Sequence, residues 1–162
     1  MSDDLEEILV DEAETDEEEY VNYKIATYPS DLTVSVIQQM WSDKEIIIPR
    51  FQRSFVWTQK QASLLIESFL LGLPVPQVFF YVDDGDKSLV IDGQQRLRSV
   101  LYFLEGYFGE ENSSGRRSTF RLIGLADSSP YSKKKFTDLS EADQRKLKNT
   151  VIRAINIRQL VV

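Results

Sequence analysis

The residues best suited to chemistry lie in the segment Val90-Ile91-Asp92-Gly93-Gln94-Gln95-Arg96. A helix that begins there offers backbone N–H groups without intrahelical acceptors and the positive end of its dipole, and both favour an anion. Gly93 permits a sharp turn and the close approach of a phosphate. Arg96 carries a fork of donors suited to phosphate oxygens, while Asp92 could cap the helix, hold a cation or orient a water molecule. An ordinary helix start with solvated side chains explains the pattern equally well.

A second candidate segment is Ile48-Pro49-Arg50-Phe51-Gln52-Arg53-Ser54-Phe55-Val56-Trp57. Two arginines and a glutamine alternate with three aromatic residues, so one side of an extended loop could contact phosphate while the rings stack on a base or pack into the core. The other interpretation is that the rings only anchor the loop and leave the arginines in water. A third group, Arg116-Arg117, Arg121 and Lys133-Lys134-Lys135, could contact nucleic acid, although charged loop residues are more often solvated surface.

The composition excludes several kinds of chemistry. The chain of 162 residues has no His and no Cys, so Ser-His-Asp and Cys-His catalysis, structural zinc, disulfides and thiol redox reactions are ruled out within it. The remaining candidates are Asp, Glu, Arg, Lys, Gln, Ser, Thr and Tyr, with a hard oxygen-ligated cation such as Mg²⁺.

The charge divides the chain into two parts. Residues 1–19 contain 11 of the 26 acidic residues and no Lys or Arg, so the remaining 143 residues carry 19 basic and 15 acidic residues. This division predicts an acidic, disordered tail over 1–19 and one domain over 20–162. A second interpretation of the tail is an acidic arm that covers a basic groove.

The two ends of the chain carry further expectations. The N-terminus is acidic, and no apolar run approaches the roughly 20 residues that a bilayer crossing needs, so we expect a soluble cytoplasmic protein that does not contact a membrane. The chain stops at Leu160-Val161-Val162 within an apolar, strand-like run. We therefore expect the domain to be truncated at its C-terminus, with the natural protein continuing beyond residue 162.

Several elements must position the candidate residues. Apolar spacing predicts helices over 30–41, over 58–71 and from the Asp92-Gly93 turn to Gly106, and a polar helix is predicted over 140–148. Runs of β-branched and aromatic residues predict strands over 46–48, 78–82, 88–91, 119–123 and 151–157. Asp83-Asp84-Gly85-Asp86 predicts the turn of a hairpin between the second and third of these strands. A strand, a tight turn and a helix thus follow one another at the first candidate segment.

Three segments in this order resemble the N-terminal domain of GmrSD-type (GmrS/GmrD) restriction proteins, within the wider ParB/sulfiredoxin-like superfamily. They are IPRFQRSFVW, the ES-x-LLGLPVP stretch that starts at Glu67, and VIDGQQRL. The resemblance covers about residues 34–108 and implies a compact α+β fold, a small mixed sheet with packed helices. It also implies that the DGQQR turn binds a nucleotide phosphate and that the Arg-rich loop completes the pocket.

The resemblance assigns roles to individual residues. Binding of the nucleotide phosphates falls to Arg50, Gln52, Arg53, Gly93, Gln94 and Arg96. Catalysis, if the domain hydrolyses a nucleoside triphosphate, falls to Asp92, Gln95 and Arg96. Asp92 and Glu67 are the candidates for contact with Mg²⁺. Glutamines stand where sulfiredoxin chemistry needs a thiol, so that activity is excluded.

The function expected from this resemblance is regulatory. A nucleotide-binding, NTP-hydrolysing domain of a restriction or phage-defence protein would couple the nucleotide to DNA cleavage by a nuclease domain outside this chain, in cis or in trans. DNA would then be contacted through the full-length protein. The alternative is a non-catalytic DNA-binding or protein-interaction module with a ParB-like fold. Nuclease activity within this segment has thin support, because the chain offers one plausible carboxylate cluster.

Overall fold

The structure is a computed structural model that describes residues 24–52 and 54–160. The predicted acidic tail, 1–19, and the candidate phosphate ligand Arg53 lie outside the described residues. The strands and helices, in chain order, are β1 (Ile25–Thr33), α1 (Val34–Ser42), β2 (Ile46–Ile47), α2 (Gln59–Leu70), β3 (Val78–Val82), β4 (Ser88–Asp92), α3 (Gln94–Glu105), β5 (Tyr107–Phe108), β6 (Ser118–Thr119), α4 (Glu141–Lys148) and β7 (Val151–Gln159). Short 3₁₀ turns cover Arg50–Gln52 and Phe136–Asp138.

Five strands form one mixed sheet in the order β1-β7-β3-β4-β2. β1 is antiparallel to β7, β7 is parallel to β3, β3 and β4 form the predicted antiparallel hairpin, and β2 is parallel to β4. Val78 pairs with Ala154, and Thr33 pairs with Val151. The end of β4 that leads into α3 therefore lies at the same edge of the sheet as the start of β3, the start of β7 and the end of β1. The fold is α+β, as the sequence predicted.

The core lies between one face of the sheet and the helices. Alternate residues of β3 and β7 are buried on this face, which is the period of a strand with one covered side. The largest fully buried side chains come from every layer of the packing: Ile37 of α1, Ile66 and Phe69 of α2, Phe80 of β3, Phe103 of α3, Phe120 after β6 and Leu147 of α4. Helix α3 is therefore fixed by its apolar side while its first turn reaches the sheet edge.

The helix starts follow from side-chain capping. Thr58 Oγ1 accepts a hydrogen bond from the Gln61 amide at 3.2 Å, and Gln61 Oε1 accepts one from the Thr58 amide at 2.9 Å, which is a capping box. Ser140 caps α4 in the simpler way, through the Asp143 amide. Both helices begin where the sequence predicted.

Two element predictions are wrong. The helix predicted over 30–41 begins at Val34, because Ser30 to Thr33 belong to β1, and Thr33 rather than Ser30 or Asp31 is its N-cap. The strand predicted over 119–123 is limited to β6. Beyond it, Leu122 exchanges backbone hydrogen bonds with Lys133 and Lys134, so this stretch is held by a turn instead of a strand partner.

None of the helices in the described part of the chain combines the length and the apolar character needed to cross a membrane.

Candidate functional site

The junction between β4 and α3 forms the floor of the candidate site. β4 ends at Asp92, Gly93 has a left-handed backbone with φ of 99°, and α3 begins at Gln94. The first intrahelical hydrogen bond runs from Leu97 N to Gly93 O at 3.0 Å. The N–H groups of Gln94, Gln95 and Arg96 thus precede the helix ladder, and the positive end of the helix dipole lies with them.

Residues 51–52 and 54–57 lie against this junction and close a cleft of about 470 Å³. The residues that line it come from both predicted segments: Phe51, Gln52, Ser54, Trp57, Ile91, Asp92, Gly93, Gln94, Gln95 and Arg96. The structure therefore brings together two stretches that are about forty residues apart in the sequence, as a shared pocket requires.

Gln95 ties the loop to the helix. Its side-chain oxygen accepts hydrogen bonds from the amides of Val56 at 3.0 Å and Trp57 at 3.2 Å, and its side-chain nitrogen donates to Ser54 O at 2.9 Å. One side chain thus satisfies three main-chain groups of the loop. This geometry gives Gln95 a positioning role, and the catalytic role predicted from the sequence stays a prediction.

Two further glutamines cross the cleft. Gln52 donates from its side-chain nitrogen to Ile91 O at 3.0 Å, and Gln94 donates to Ser54 O at 3.0 Å. The other amide atom of Gln94, Oε1, is buried and has no hydrogen-bond partner among the described residues. A buried acceptor without a partner is uncommon in folded proteins and indicates a place for a water molecule or a ligand donor.

Arg96 is only partly available to a ligand. Its Nη2 donates to Gln77 O at 2.9 Å and lies 4.0 Å from the Asp92 carboxylate, and its side chain is 20% exposed. Its Nε is buried and has no partner within the described part of the chain. The guanidinium therefore holds the start of β3 against α3, and Arg96 is also one of the residues that line the cleft.

Gly93 is required by the packing of the sheet. A Cβ atom at this position would lie 2.5 Å from Val78 Cγ1, and the positive φ already disfavours any other residue. The sequence predicted that a phosphate occupies the space that a side chain at residue 93 would take. The structure shows that this space faces the first residue of β3, so the packing alone explains the glycine.

The two carboxylates proposed for Mg²⁺ lie in different places. Asp92 lines the cleft with a side chain that is 67% exposed, and it does not cap α3, whose N-cap Gly93 makes no side-chain cap bond. Glu67 on α2 accepts a hydrogen bond from Ser129 Oγ at 2.7 Å and is not among the residues that line the cleft. Among the described residues, no group of three or more Asp and Glu side chains could hold a metal ion.

The three aromatic residues of the loop separate into two kinds. Phe55 makes edge-to-face contacts with Tyr102 and Phe108, at centroid distances of 5.1 and 5.6 Å, and Trp57 packs against the core. Phe51, in the 3₁₀ turn that begins at the exposed Arg50, remains 85% exposed. Phe55 and Trp57 therefore anchor the loop, as one interpretation predicted, while stacking of a ring on a base stays a prediction.

A buried polar network supports the loop from behind. Arg98 lies 5.6 Å from the ring centre of Phe55, donates to Tyr102 Oη at 2.8 Å and forms an ion pair with Glu110. Burial raises the pKa of Tyr102, so its hydroxyl stays protonated well above neutral pH. Arg98 was not predicted from the sequence. It is a charged residue on the apolar side of α3, and that position can be recognised only when the orientation of the helix is known.

The third basic group divides in the structure. Arg121 donates to Lys133 O at 3.2 Å and pairs with Asp138. Gln59 donates to Arg121 O and the adjoining Lys60 lies beside Gly124, so the stretches that carry Lys60, Arg121 and Lys133 are neighbours. Arg117 instead pairs with Glu105 and donates to Gly109 O. We call the surface formed by Lys60, Arg121 and Lys133–Lys135 the basic loop surface.

The sequence profile of one protein family matches the chain. The family is described as "GmrSD restriction endonuclease, N-terminal domain", and the match covers residues 35–161, which is most of the 162-residue chain. It includes both candidate segments and all of the sheet except β1. Neither a search of curated proteins nor a search of solved structures found a match.

Proposed function

Because the chain belongs to the family of GmrSD restriction endonuclease N-terminal domains, we propose that it binds a nucleoside triphosphate and serves a restriction or phage-defence protein as its regulatory domain. The observation that carries the proposal is the cleft at the start of α3. Helix N–H groups, buried polar atoms without a partner among the described residues, and residues 51–52, 54 and 57 of the loop meet there. Helix starts of this kind bind phosphate groups in many folds.

The residues of the cleft fit the parts of such a ligand. The amides of residues 94–96 and Arg96 Nε supply donors for phosphate oxygens, and the exposed Arg50 adds positive charge at the adjoining turn. Gln94 Oε1 is an acceptor and suits a ribose hydroxyl or a base amino group. Arg53 is proposed as a further phosphate ligand on the sequence match alone.

Asp92 is the carboxylate of the cleft that could contact Mg²⁺. An exposed carboxylate beside a phosphate site repels the anion unless a cation lies between them. We therefore propose that Mg²⁺ enters with the triphosphate and that Asp92 contacts it, either directly or through a water molecule. The same carboxylate is the best group in the cleft to orient an attacking water if hydrolysis follows.

A thermal-shift panel tests nucleotide binding. The chain is heated with ATP, GTP, CTP or UTP, each with and without Mg²⁺, and at least one triphosphate is expected to raise the melting temperature. A ligand at 100 times its Kd adds ~2.7 kcal/mol to the free energy of unfolding. The failure of all four to stabilise the chain, with or without Mg²⁺, contradicts the proposal.

The role of Asp92 has its own variant. Asp92→Asn is expected to remove most of the dependence of the melting-temperature shift on Mg²⁺, because the neutral amide is a weaker ligand and no longer repels phosphate. Asp84→Asn, at an exposed position in the hairpin turn, is the control for the loss of one surface charge. Release of inorganic phosphate by the wild-type chain, absent from Asp92→Asn, is the measurement for hydrolysis.

The basic loop surface supports a second candidate function, the contact with DNA. It would act in the full-length protein, together with a nuclease domain in cis or in trans. An electrophoretic shift of DNA that nucleotide does not alter, from a chain that releases no phosphate, favours the non-catalytic alternative.

A further inference from the structure

Phe51 is the one aromatic residue of the loop from 50 to 57 that packing does not use. Its ring is 85% exposed, the highest fraction among the large apolar residues in the described part of the chain. Phe55, four residues on, contacts Tyr102 and Phe108, and Trp57 packs against the core. A Phe ring left in water forgoes the stabilisation that burial gives, so the fold gains little from this side chain and leaves its face open to a ligand.

The local structure holds Phe51 at the cleft. The residue is the middle one of the 3₁₀ turn Arg50–Gln52, whose backbone is closed by a bond from Gln52 N to Pro49 O at 2.9 Å. The Gln52 side chain then fastens the turn to Ile91 O, at the end of β4. The Gln52 side chain thus anchors the turn to the sheet, and Phe51 lines the same cleft as the start of α3.

We propose that Phe51 stacks on the base of the nucleotide in this cleft. The inference rests on the proposed function, since it assumes that the phosphates bind at the start of α3. The walls of the cleft support it: the polar donors lie on α3, while Phe51, Trp57 and Ile91 provide apolar surface. A ligand that is anionic at one end and flat and aromatic at the other matches both surfaces.

The chemistry of stacking also states what Phe51 does not do. Every base has a π-face, so an aromatic platform gives affinity without selecting a particular base. Phe51 therefore favours the binding of nucleotides over inorganic phosphates. Selection of a particular base depends on polar atoms such as Gln94 Oε1, which has no partner among the described residues.

The test compares two ligands that differ only in the presence of a nucleoside. Calorimetric titration measures the Kd of the 162-residue chain for the tightest-binding nucleoside triphosphate and for inorganic tripolyphosphate, both with Mg²⁺. Phe51→Ala is expected to weaken nucleotide binding roughly 5- to 100-fold, as for the loss of one base–aromatic contact, and to leave tripolyphosphate unchanged within about 2-fold. Phe51→Tyr should keep the wild-type affinities.

The control variant is Val56→Ala. Val56 is 72% exposed in the same loop but does not line the cleft, and its hydrogen bond to Gln95 uses the main chain. It is expected to bind both ligands as the wild type does.

The outcomes separate the two proposals. Equal nucleotide affinity in Phe51→Ala and wild type overturns the stacking role and leaves the proposed function intact. An equal loss of affinity for both ligands has the same consequence, because it shows that Phe51 is a structural part of the loop. A wild-type chain that binds neither ligand overturns the proposed function and the stacking role together. If Phe51→Ala weakens binding of a single-stranded oligonucleotide and leaves mononucleotide binding unchanged, the stacking role in this cleft is also overturned.

Discussion

Gly93 combines two independent demands on one residue. Its φ of 99° is costly for any side chain, and an added Cβ would overlap Val78. Gly72 meets only the first demand, because its φ is 72° and nothing lies within 4 Å of the position of a Cβ. The two glycines therefore allow the backbone cost and the packing cost to be measured separately.

Replacing each glycine by alanine is expected to give different losses of stability. Gly72→Ala should lower the free energy of unfolding by about 1–2 kcal/mol, the cost of a left-handed backbone. Gly93→Ala should lower it by a further ~1–3 kcal/mol, because the new methyl group overpacks against Val78. Urea denaturation measures both, and equal losses would show that β3 moves aside without cost.

Arg96 is expected to contribute to stability as well as to binding. Its side chain is largely buried and donates to Gln77 O, so Arg96→Ala should lower the free energy of unfolding by about 1–3 kcal/mol in the absence of ligand. Nucleotide affinity, measured at a temperature where the variant is folded, should fall as well, by a similar free energy. A variant with wild-type stability and reduced affinity would return Arg96 to the purely ligand-binding role expected from the sequence.

At the scale of elements, Gln95 connects the start of α3 to the loop that covers it. Gln95→Ala removes the partners of the Val56 and Trp57 amides and one donor to Ser54 O. We expect a loss of about 1–3 kcal/mol in the free energy of unfolding and faster hydrogen exchange at those two amides. Gln94→Ala removes one donor to the same Ser54 O, so it is the control, and exchange at Val56 and Trp57 should hardly change in it.

The sequence predicted those elements whose signals are local. Three such features depend only on neighbours within a few residues: the cap at Thr58, the hairpin of β3 and β4, and the helix after Gly93. β1 was missed because it pairs with β7, more than a hundred residues away, and because Pro29 interrupts its pattern. Pro29 is tolerated there because β1 is an edge strand, which does not need every amide.

The candidate site follows the same division. The sequence marked the two segments that meet in the cleft, since residue types carry that information. It did not show that Gln95 would bond to the main chain of Ser54, Val56 and Trp57, because main-chain groups are the same at every position. Phe51 could be distinguished from Phe55 only when the packing of both rings was known.

At the scale of the whole molecule, the first described strand begins far from the cleft. Ile25, at the start of β1, pairs with Gln159, whereas the cleft lies at the edge where β1 ends. Because β1 has nine residues, its two ends lie about 30 Å apart. Residues 1–19, with 11 acidic residues and no basic ones, could span up to about 65 Å when extended, which exceeds this separation.

Removing residues 1–19 is expected to tighten DNA binding at low salt, because an acidic segment attached to the domain competes with DNA for the basic loop surface at an effective concentration in the millimolar range. The gain should shrink as the ionic strength rises from about 0.05 to 0.2 M, since both contacts depend on the displacement of counterions. A chain of unchanged length, with the acidic residues of 1–19 replaced by Asn and Gln, should behave like the deletion.

Nucleotide affinity is the internal control for this deletion. The donors proposed for the phosphates include the buried Nε of Arg96 and the first-turn amides of α3, beneath the loop that Gln95 fastens. A long acidic segment enters such a site less readily than it covers an open surface, so the Kd for nucleotide should change much less than the Kd for DNA. Equal DNA affinity with and without residues 1–19 at low salt would rule out competition. A large change in nucleotide affinity alone would place the acidic segment at the cleft.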